Sequence, residues 1–545
     1  SFMSLCGEWE LSVIKDERTD HIGSIRVPFP PQSVLSGYGK KVGKYLEYSC
    51  KFKAETGKRT ILHFGAVDET SEVYLNGQLL GKHEGGYLPF SFDVTEVLAA
   101  ENTLVVKVED TLSKEYPYGK QTKKRGGMWY TPVSGIWQNV WVEQVPDNYI
   151  AKLIITPDEK SVRVAVKMNN GEADFVKLKV YLHNGEIFER VCDGNEVFVD
   201  FGEIRLQSGD GYEAKKWSPE SPYLYRAEVT VAEDCVGTYF ALRSITIKDV
   251  DGVQRVCLNG EPIFLNGVLD QGYFCDGIFL PAEEEEYERD VLRMKELGIN
   301  MLRKHIKIEP EYFYYYCDLH GMLVVQDMVN NGSYSFMRDT ALPTIGMLKR
   351  DDTKTRVPKK VKGLFEKHMI DTQEHLYNHP CIIAYTIFNE GWGQFESDRM
   401  YALAKNADPT RLYDTTSGWF WQKDSDFDSY HVYFGDKKPQ PDKRPMLISE
   451  FGGCTYVVPG HIYAKYNSYG YGNCKDEQEL SEKIAEKYEE LILPVVKAGA
   501  CGCVYTQLCD VEDEGNGFYT YDRKVCKVEP AMMRDIAEKI KNELK

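Results

Sequence analysis

The sequence predicts a multidomain protein with an N-terminal β jelly roll, an immunoglobulin-like β-sandwich and a C-terminal (β/α)8 barrel. Three observations predict it. Up to about residue 250 the chain breaks into short β-prone runs separated by turn residues. Beyond that point strands alternate with amphipathic helical segments. Two apolar runs in the second half, Tyr385-Thr-Ile-Phe-Asn-Glu-Gly-Trp-Gly393 and Met446-Leu-Ile-Ser-Glu-Phe-Gly-Gly453, each lead into a carboxylate and a glycine. Such runs suit strands buried on both faces of a parallel sheet. A length of 545 residues exceeds what one core holds and fits two to four domains.

Residues 1–145 read as the jelly roll. Arg59-Thr-Ile-Leu-His-Phe-Gly65, Ser71-Glu-Val-Tyr-Leu75 and Thr103-Leu-Val-Val-Lys-Val108 are its strand-like runs, and Asn76-Gly77 and Glu84-Gly-Gly86 its turns. Ser1-Phe2 ahead of Met3 reads as a cloning remnant outside the fold. Residues 146–248 read as the sandwich, on runs such as Val162–Val166, Val176–Val180 and Tyr225–Val231 with turns at the spacing of an immunoglobulin-like domain. Residues 249–545 read as the barrel. Its strands are expected at Ile263–Gly267, Ile299–Arg303, Met322–Gln326, Ile382–Phe388, Arg411–Thr415, Asp426–Tyr433, Pro445–Glu450 and Gly502–Thr506. Eight alternations of this kind point to a closed barrel. Tyr287, Val291, Met294 and Leu297 give residues 282–297 a helical apolar face, and Glu283–Glu286 place carboxylates at the positive end of its dipole.

Composition narrows the function classes. A net charge of −18 argues against nucleic acid or an anionic membrane surface as a partner. No apolar run approaches the roughly 18 residues of a membrane span, and no signal peptide is visible, so a cytoplasmic location is expected unless a leader was removed. The fourteen cysteines lack regular spacing, and Cys257, Cys381, Cys501 and Cys503 sit in apolar strand-like runs. Reduced, buried thiols are therefore expected instead of a disulfide framework. Cys501, Cys503 and Cys509 raise a metal site, but alternation along a strand explains the first two more simply.

The chemistry rests on Glu390, ending strand four, and Glu450, ending strand seven. Residues just past barrel strands line the mouth where active sites lie. Two carboxylates facing each other there are what glycoside hydrolysis needs, at about 5–5.5 Å for a retaining enzyme. Asn389 could place its amide on a sugar hydroxyl beside the reacting carbon.

Motifs spread over nearly the whole chain resemble glycoside hydrolase family 2, the family of β-galactosidases, β-glucuronidases and β-mannosidases. Phe64-Gly-Ala-Val-Asp-Glu-Thr-Ser-Glu-Val-Tyr-Leu-Asn-Gly77, Gly85-Gly-Tyr-Leu-Pro-Phe90 and Trp129-Tyr-Thr-Pro-Val-Ser-Gly-Ile-Trp137 resemble its sugar-binding jelly roll. Trp217-Ser-Pro-Glu-Ser-Pro-Tyr-Leu-Tyr225 is similar to a motif of its middle sandwich, and Leu265-Asn-Gly-Val-Leu-Asp270 to its opening barrel strand. The resemblance implies that Glu390 is the acid/base and Glu450 the nucleophile. It also implies that Tyr433 hydrogen-bonds the nucleophile and that Arg303 lies near it. Sugar faces stack on aromatics, which makes Trp392, Trp419, Trp421 and Tyr505 candidate walls, with Tyr505 on strand eight beneath the sugar.

Substrate-reading positions depart from familiar members. Asp270-Gln-Gly-Tyr273 stands where galactosidases often show histidines, and Lys304-His-Ile-Lys307 replaces a Ser-His-Tyr-Pro pattern, so Asp270 and His305 become candidate sugar contacts. The family's magnesium positions are not recognisable, and no cofactor or metal is expected. Asp510-Val-Glu-Asp-Glu-Gly-Asn-Gly517 occupies the place of a basic uronate-reading motif; its carboxylates would repel an anionic sugar unless Arg303, Lys304 or Lys307 compensates. Val325-Gln-Asp-Met328 is similar to mannosidases, but the shorter first domain is not. The expectation is a retaining exo-β-glycosidase acting on a small carbohydrate, with a β-galactoside first. A β-glucuronidase or β-mannosidase, a transglycosylase and a non-catalytic carbohydrate-binding protein are the alternatives, and a homo-oligomer is left open.

Overall fold

The computed structural model describes residues 1–15, 18–433, 439, 443–463 and 469–544. Its first layer pair is antiparallel. A six-stranded sheet runs in the order 18–27, 7–15, 45–53, 101–109, 70–75, 78–84, and a four-stranded sheet in the order 2–4, 140–145, 59–64, 90–93. Alternation drives the packing: in Glu101–Glu109 the buried positions are Asn102, Leu104, Val106 and Val108. The three apolar ones meet Trp9, Leu11, Tyr48, Leu62 and Phe64 in a core of their own. Asn76 and Gly77, at φ 52° and 82°, close the 70–84 hairpin with the backbone that a tight turn requires. Phe2, expected outside the fold, pairs instead with Glu143 in the strand Phe2–Ser4. Edge pairing needs only free backbone groups, which a terminal segment supplies.

A second sandwich follows, with strands 150–157, 161–168 and 196–200 facing strands 187–193, 175–181, 225–231 and 234–240 around Val164, Val176, Leu178, Val229 and Phe240. The hairpin Ile245–Val250 and Val253–Leu258 then leads into the barrel, so the expected boundary at residue 248 falls within its first strand.

The barrel strands are β1 (Leu265–Asp270), β2 (Met301–Lys304), β3 (Leu323–Asp327), β4 (Ile382–Asn389), β5 (Leu412–Ser417), β6 (Asp428–Val432), β7 (Met446–Gly452) and β8 (Ala500–Thr506). All eight expected strands are present, with ends moved by a few residues. Their ladders are parallel in the order β5-β4-β3-β2-β1-β8-β7-β6, with β5 and β6 in contact at the seam. Every residue of β1–β5, β7 and β8 is buried, as strands covered on both faces require. Helix Glu285–Glu296 turns Tyr287, Val291 and Met294 onto the sheet as the apolar spacing predicts. No helix among the described residues is long and apolar enough to cross a membrane, and all fourteen cysteines are free thiols.

Candidate active site

Two strand ends bring the acidic pair together. β4 stops at Asn389, and Glu390 turns out of the sheet at φ 52° with its N–H on the Ser417 carbonyl, 2.9 Å away. A left-handed conformation is unfavourable for a side chain with a β-carbon, and such strain concentrates at functional positions. Glu450 stays within β7 and points inward. The closest donor atoms of Glu390, Glu450 and His431 all lie within 4.8 Å of one another.

Glu450 is held on both oxygens. Arg303 Nη1 donates to Oε1 at 3.0 Å and the Tyr433 hydroxyl to Oε2 at 2.6 Å. Burial alone would raise its pKa. Neighbouring His431, Arg303 and His305, together with the Tyr433 hydrogen bond, bring it down to about 2. Burial pushes the Tyr433 phenol far up, so it remains a donor, and it also meets Thr506 Oγ1 at 2.8 Å. Arg303 is fully buried, and its other nitrogens donate to Asp327 Oδ1 at 3.0 Å and Asn389 Oδ1 at 2.8 Å. That orients Asn389 and leaves its amide nitrogen without a protein partner among the described residues. His305 lies with Nδ1 2.6 Å from Asp327 Oδ2. Burial lowers its pKa, which favours a neutral imidazole.

Glu390 has different company. His431 Nδ1 lies 2.8 Å from Oε1, and the same ring meets Ser417 Oγ at 2.9 Å and Glu450 Oε1 at 3.5 Å through Nε2. Glu390, His431 and Glu450 are the donor types of a metal site, but a cation there would compete with Arg303 for the same Glu450 oxygen. The geometry can perform acid–base and nucleophilic chemistry with one carboxylate locked as an anion and the other beside an imidazole.

Several expected sugar contacts are engaged elsewhere. Tyr505 points away from the mouth, because inward positions on β8 alternate through Val504 and Thr506; its ring stacks on Phe518 at 4.7 Å and meets Phe451 edge-on. Asp270 accepts from Lys304 Nζ at 2.6 Å and from the Gly272 N–H, so it balances a buried lysine. Trp392 is 2% exposed and packs edge-on against Tyr118 and Trp129, donating Nε1 to the Tyr118 hydroxyl at 3.2 Å. Trp419 lies edge-on to His431 and donates to the Asp339 carbonyl, and Trp421 donates to the Ser429 carbonyl. Each indole N–H has an internal acceptor, which fixes the orientation of the ring.

Sequence reading missed two contributions. His431 is one, although it lies two residues before Tyr433, a spacing that places both on one face of a strand. The other is a strap from the jelly roll. Tyr118 and Gly119 donate their N–H groups to the Asn330 carbonyl beyond β3, Tyr118 donates its hydroxyl to Gly332, Tyr130 its hydroxyl to Glu514 at 3.1 Å, and Thr131 its N–H to Glu512 at 3.0 Å. Nothing local in the sequence shows that this loop reaches across a domain boundary.

Three family models match in chain order. The galactose-binding domain-like model of glycosyl hydrolase 2 covers residues 41–140, the glycosyl hydrolases family 2 model 148–243 and the family 2 TIM barrel domain model 249–469. A β-galactosidase of Thermoanaerobacter pseudethanolicus is 25% identical over 432 residues, covering 74% of this chain and 53% of its own. The structure of a Dictyoglomus thermophilum β-D-glucuronidase superposes with a TM-score of 0.78 at 17% identity, over 99% of this chain and 97% of that one. A β-galacturonidase of Eisenbergiella tayi gives 0.72 at 19% identity, over 99% and 96%. The chain spans about half the length of the first curated relatives it matches.

Proposed function

The chain belongs to glycoside hydrolase family 2, and from that premise we propose that it is a retaining exo-β-glycosidase with Glu450 as nucleophile and Glu390 as acid/base. The observation that carries this is the approach of the two carboxylates to within 4.8 Å, with Glu450 alone clamped by a guanidinium and a phenol. The spacing is that of a retaining pair and falls short of the roughly 6.5–9.5 Å at which an inverting pair holds its water. Glu450 forms a bond to the anomeric carbon as the glycosidic C–O bond breaks and Glu390 gives its proton to the departing oxygen. Glu390 then takes a proton from water, whose oxygen displaces Glu450 and restores the β-configuration. Arg303 and Tyr433 keep the nucleophile ionised and in line, and Asn389 offers its amide to a ring hydroxyl.

The choice of sugar is open to the pocket. Names among the relatives divide between β-galactosidase and β-glucuronidase. The expected preference for a galactoside rested on repulsion of anions by Asp510–Gly517, and that support is gone. Asp510 is paired with Lys527 at 2.6 Å, while burial raises Glu512 and brings Glu514 up to about 7. Galactosides therefore stand as one arm of a substrate panel.

The test is the anomer first released from an aryl β-glycoside, followed by proton NMR, together with peptide mapping after exposure to a 2-deoxy-2-fluoro glycoside. A β-product and a sugar adduct on Glu450 are expected. An α-product, or an adduct on another residue, would overturn the assignment.

A further inference from the structure

Four lysines among the described residues are buried, and three of them have their charge balanced. Lys304 meets Asp270 at 2.6 Å and Glu309 at 2.9 Å, Lys307 meets Glu309 at 2.9 Å, and Lys527 meets Asp510 at 2.6 Å. These pairs also engage Lys304 and Lys307, two of the cations that could have offset carboxylate repulsion of an anionic sugar. Lys120 is the exception. It is 7% exposed, and its ammonium has neither an ion-pair nor a hydrogen-bond partner among the described residues; the Trp129 ring centroid lies 5.8 Å away. The side chain is largely covered while its ammonium still opens on solvent, so the charge stands free at the mouth to meet an anionic ligand.

The strap fixes where that ammonium sits. Gly119, next in chain, is anchored on Asn330 beyond β3, and the Lys120 carbonyl accepts from the N–H of Tyr130, whose hydroxyl holds Glu514 beyond β8. Lys120 is thereby pinned across the mouth between the β3 and β8 rims. It interacts electrostatically with His305, at the end of β2, and with Glu514. Burial raises Glu514 to about 7 against the pull of Lys120 and of hydrogen bonds from Tyr130 and Gln507, so it repels an anion less than an ordinary carboxylate would.

We propose that Lys120, carried into the barrel mouth by the jelly-roll strap, is a specificity-determining residue that pairs with the carboxylate of a β-linked uronic acid. This rests on the glycosidase reading above and adds the substrate class. The ammonium is a point charge without planar geometry, so it selects for the carboxylate itself more than for the configuration of the neighbouring hydroxyl.

The experiment compares kcat/KM for 4-nitrophenyl β-D-glucuronide, β-D-galacturonide and β-D-galactoside in the wild type, Lys120→Met and Lys120→Arg. The wild type should prefer a uronide. Lys120→Met should lower uronide turnover about a hundredfold more than galactoside turnover, chiefly through KM, as loss of one partner of a desolvated ion pair does. Lys120→Arg should recover part of the loss. A wild type that prefers the galactoside, or a Met variant that loses both substrate kinds equally, would overturn the proposal and leave the glycosidase intact. Should the Met variant not fold, calorimetric binding of free D-glucuronate, D-galacturonate and D-galactose to the wild type decides, and tighter galactose binding rejects the inference. That measurement needs no turnover. An absence of hydrolysis on every glycoside would instead count against the catalytic reading.

Discussion

Glu390 and Glu450 are the same residue type on the rim of one barrel and share His431 as a neighbour, yet only one of them is clamped. Glu450 remains inside a strand, 5% exposed, with a guanidinium on one oxygen and a phenol on the other. Glu390 leaves its strand in a left-handed turn and touches an imidazole. The difference teaches that role follows from neighbours. A fixed positive charge and a permanent donor stabilise only the anion, and Glu390 has neither.

Breaking the pair separates the roles. Glu450→Gln should reduce hydrolysis of any aryl β-glycoside to background, because it removes the attacking carboxylate; measurable burst kinetics in that variant would reject the nucleophile assignment. Glu390→Ala should slow substrates with poor leaving groups by about 10²–10⁴-fold, the usual scale of general acid–base catalysis. Activated 4-nitrophenyl substrates should lose less, and equal losses across leaving groups would count against the role.

Weakening the clamp sharpens the contrast. Arg303→Met leaves Glu450 and Asp327 with unbalanced burial, so denaturant unfolding should report about 3–5 kcal/mol lost, as for removal of one partner of a buried pair. The same change should move the acidic limb of the kcat/KM profile to higher pH, since Glu450 would no longer be held down. Tyr433→Phe removes one hydrogen bond to a charged group, worth about 1.5–3 kcal/mol, and kcat should fall correspondingly while activity persists. An unchanged kcat would place the phenol outside the reaction.

The clamp also shows in acid stability. Glu450 is depressed from 4.5 to about 2 in the folded protein. Its ionised form therefore contributes stability that is present above its unfolded value and lost as pH falls through the folded one. Between about pH 4.5 and 2 the wild type should lose more stability than Glu450→Gln in parallel melts. A steeper loss in the variant would contradict the clamp.

The legible parts of the molecule were those written in local patterns. Apolar runs of strand length gave all eight barrel strands, and the abrupt carboxylate at the end of β4 and within β7 singled out Glu390 and Glu450. Tyr505 failed because an apolar run buried on both faces does not say which face meets the mouth; a shift of one position exchanges Thr506 for Tyr505. The acidic run at 510–517 misled for a related reason, since net charge in sequence ignores Lys527 and Gln507 on either side of the run and Tyr130 from the jelly roll, which hold those carboxylates.

The sequence by itself determined the order of the domains, the barrel and its acidic pair, because strand alternation, turns and strand ends are short-range properties of the chain. Only the tertiary structure decided the jelly-roll strap, the orientation of β8 and the unpaired Lys120. Each depends on contacts beyond the reach of a local pattern, where packing and charge balance are settled by what the folded chain brings close.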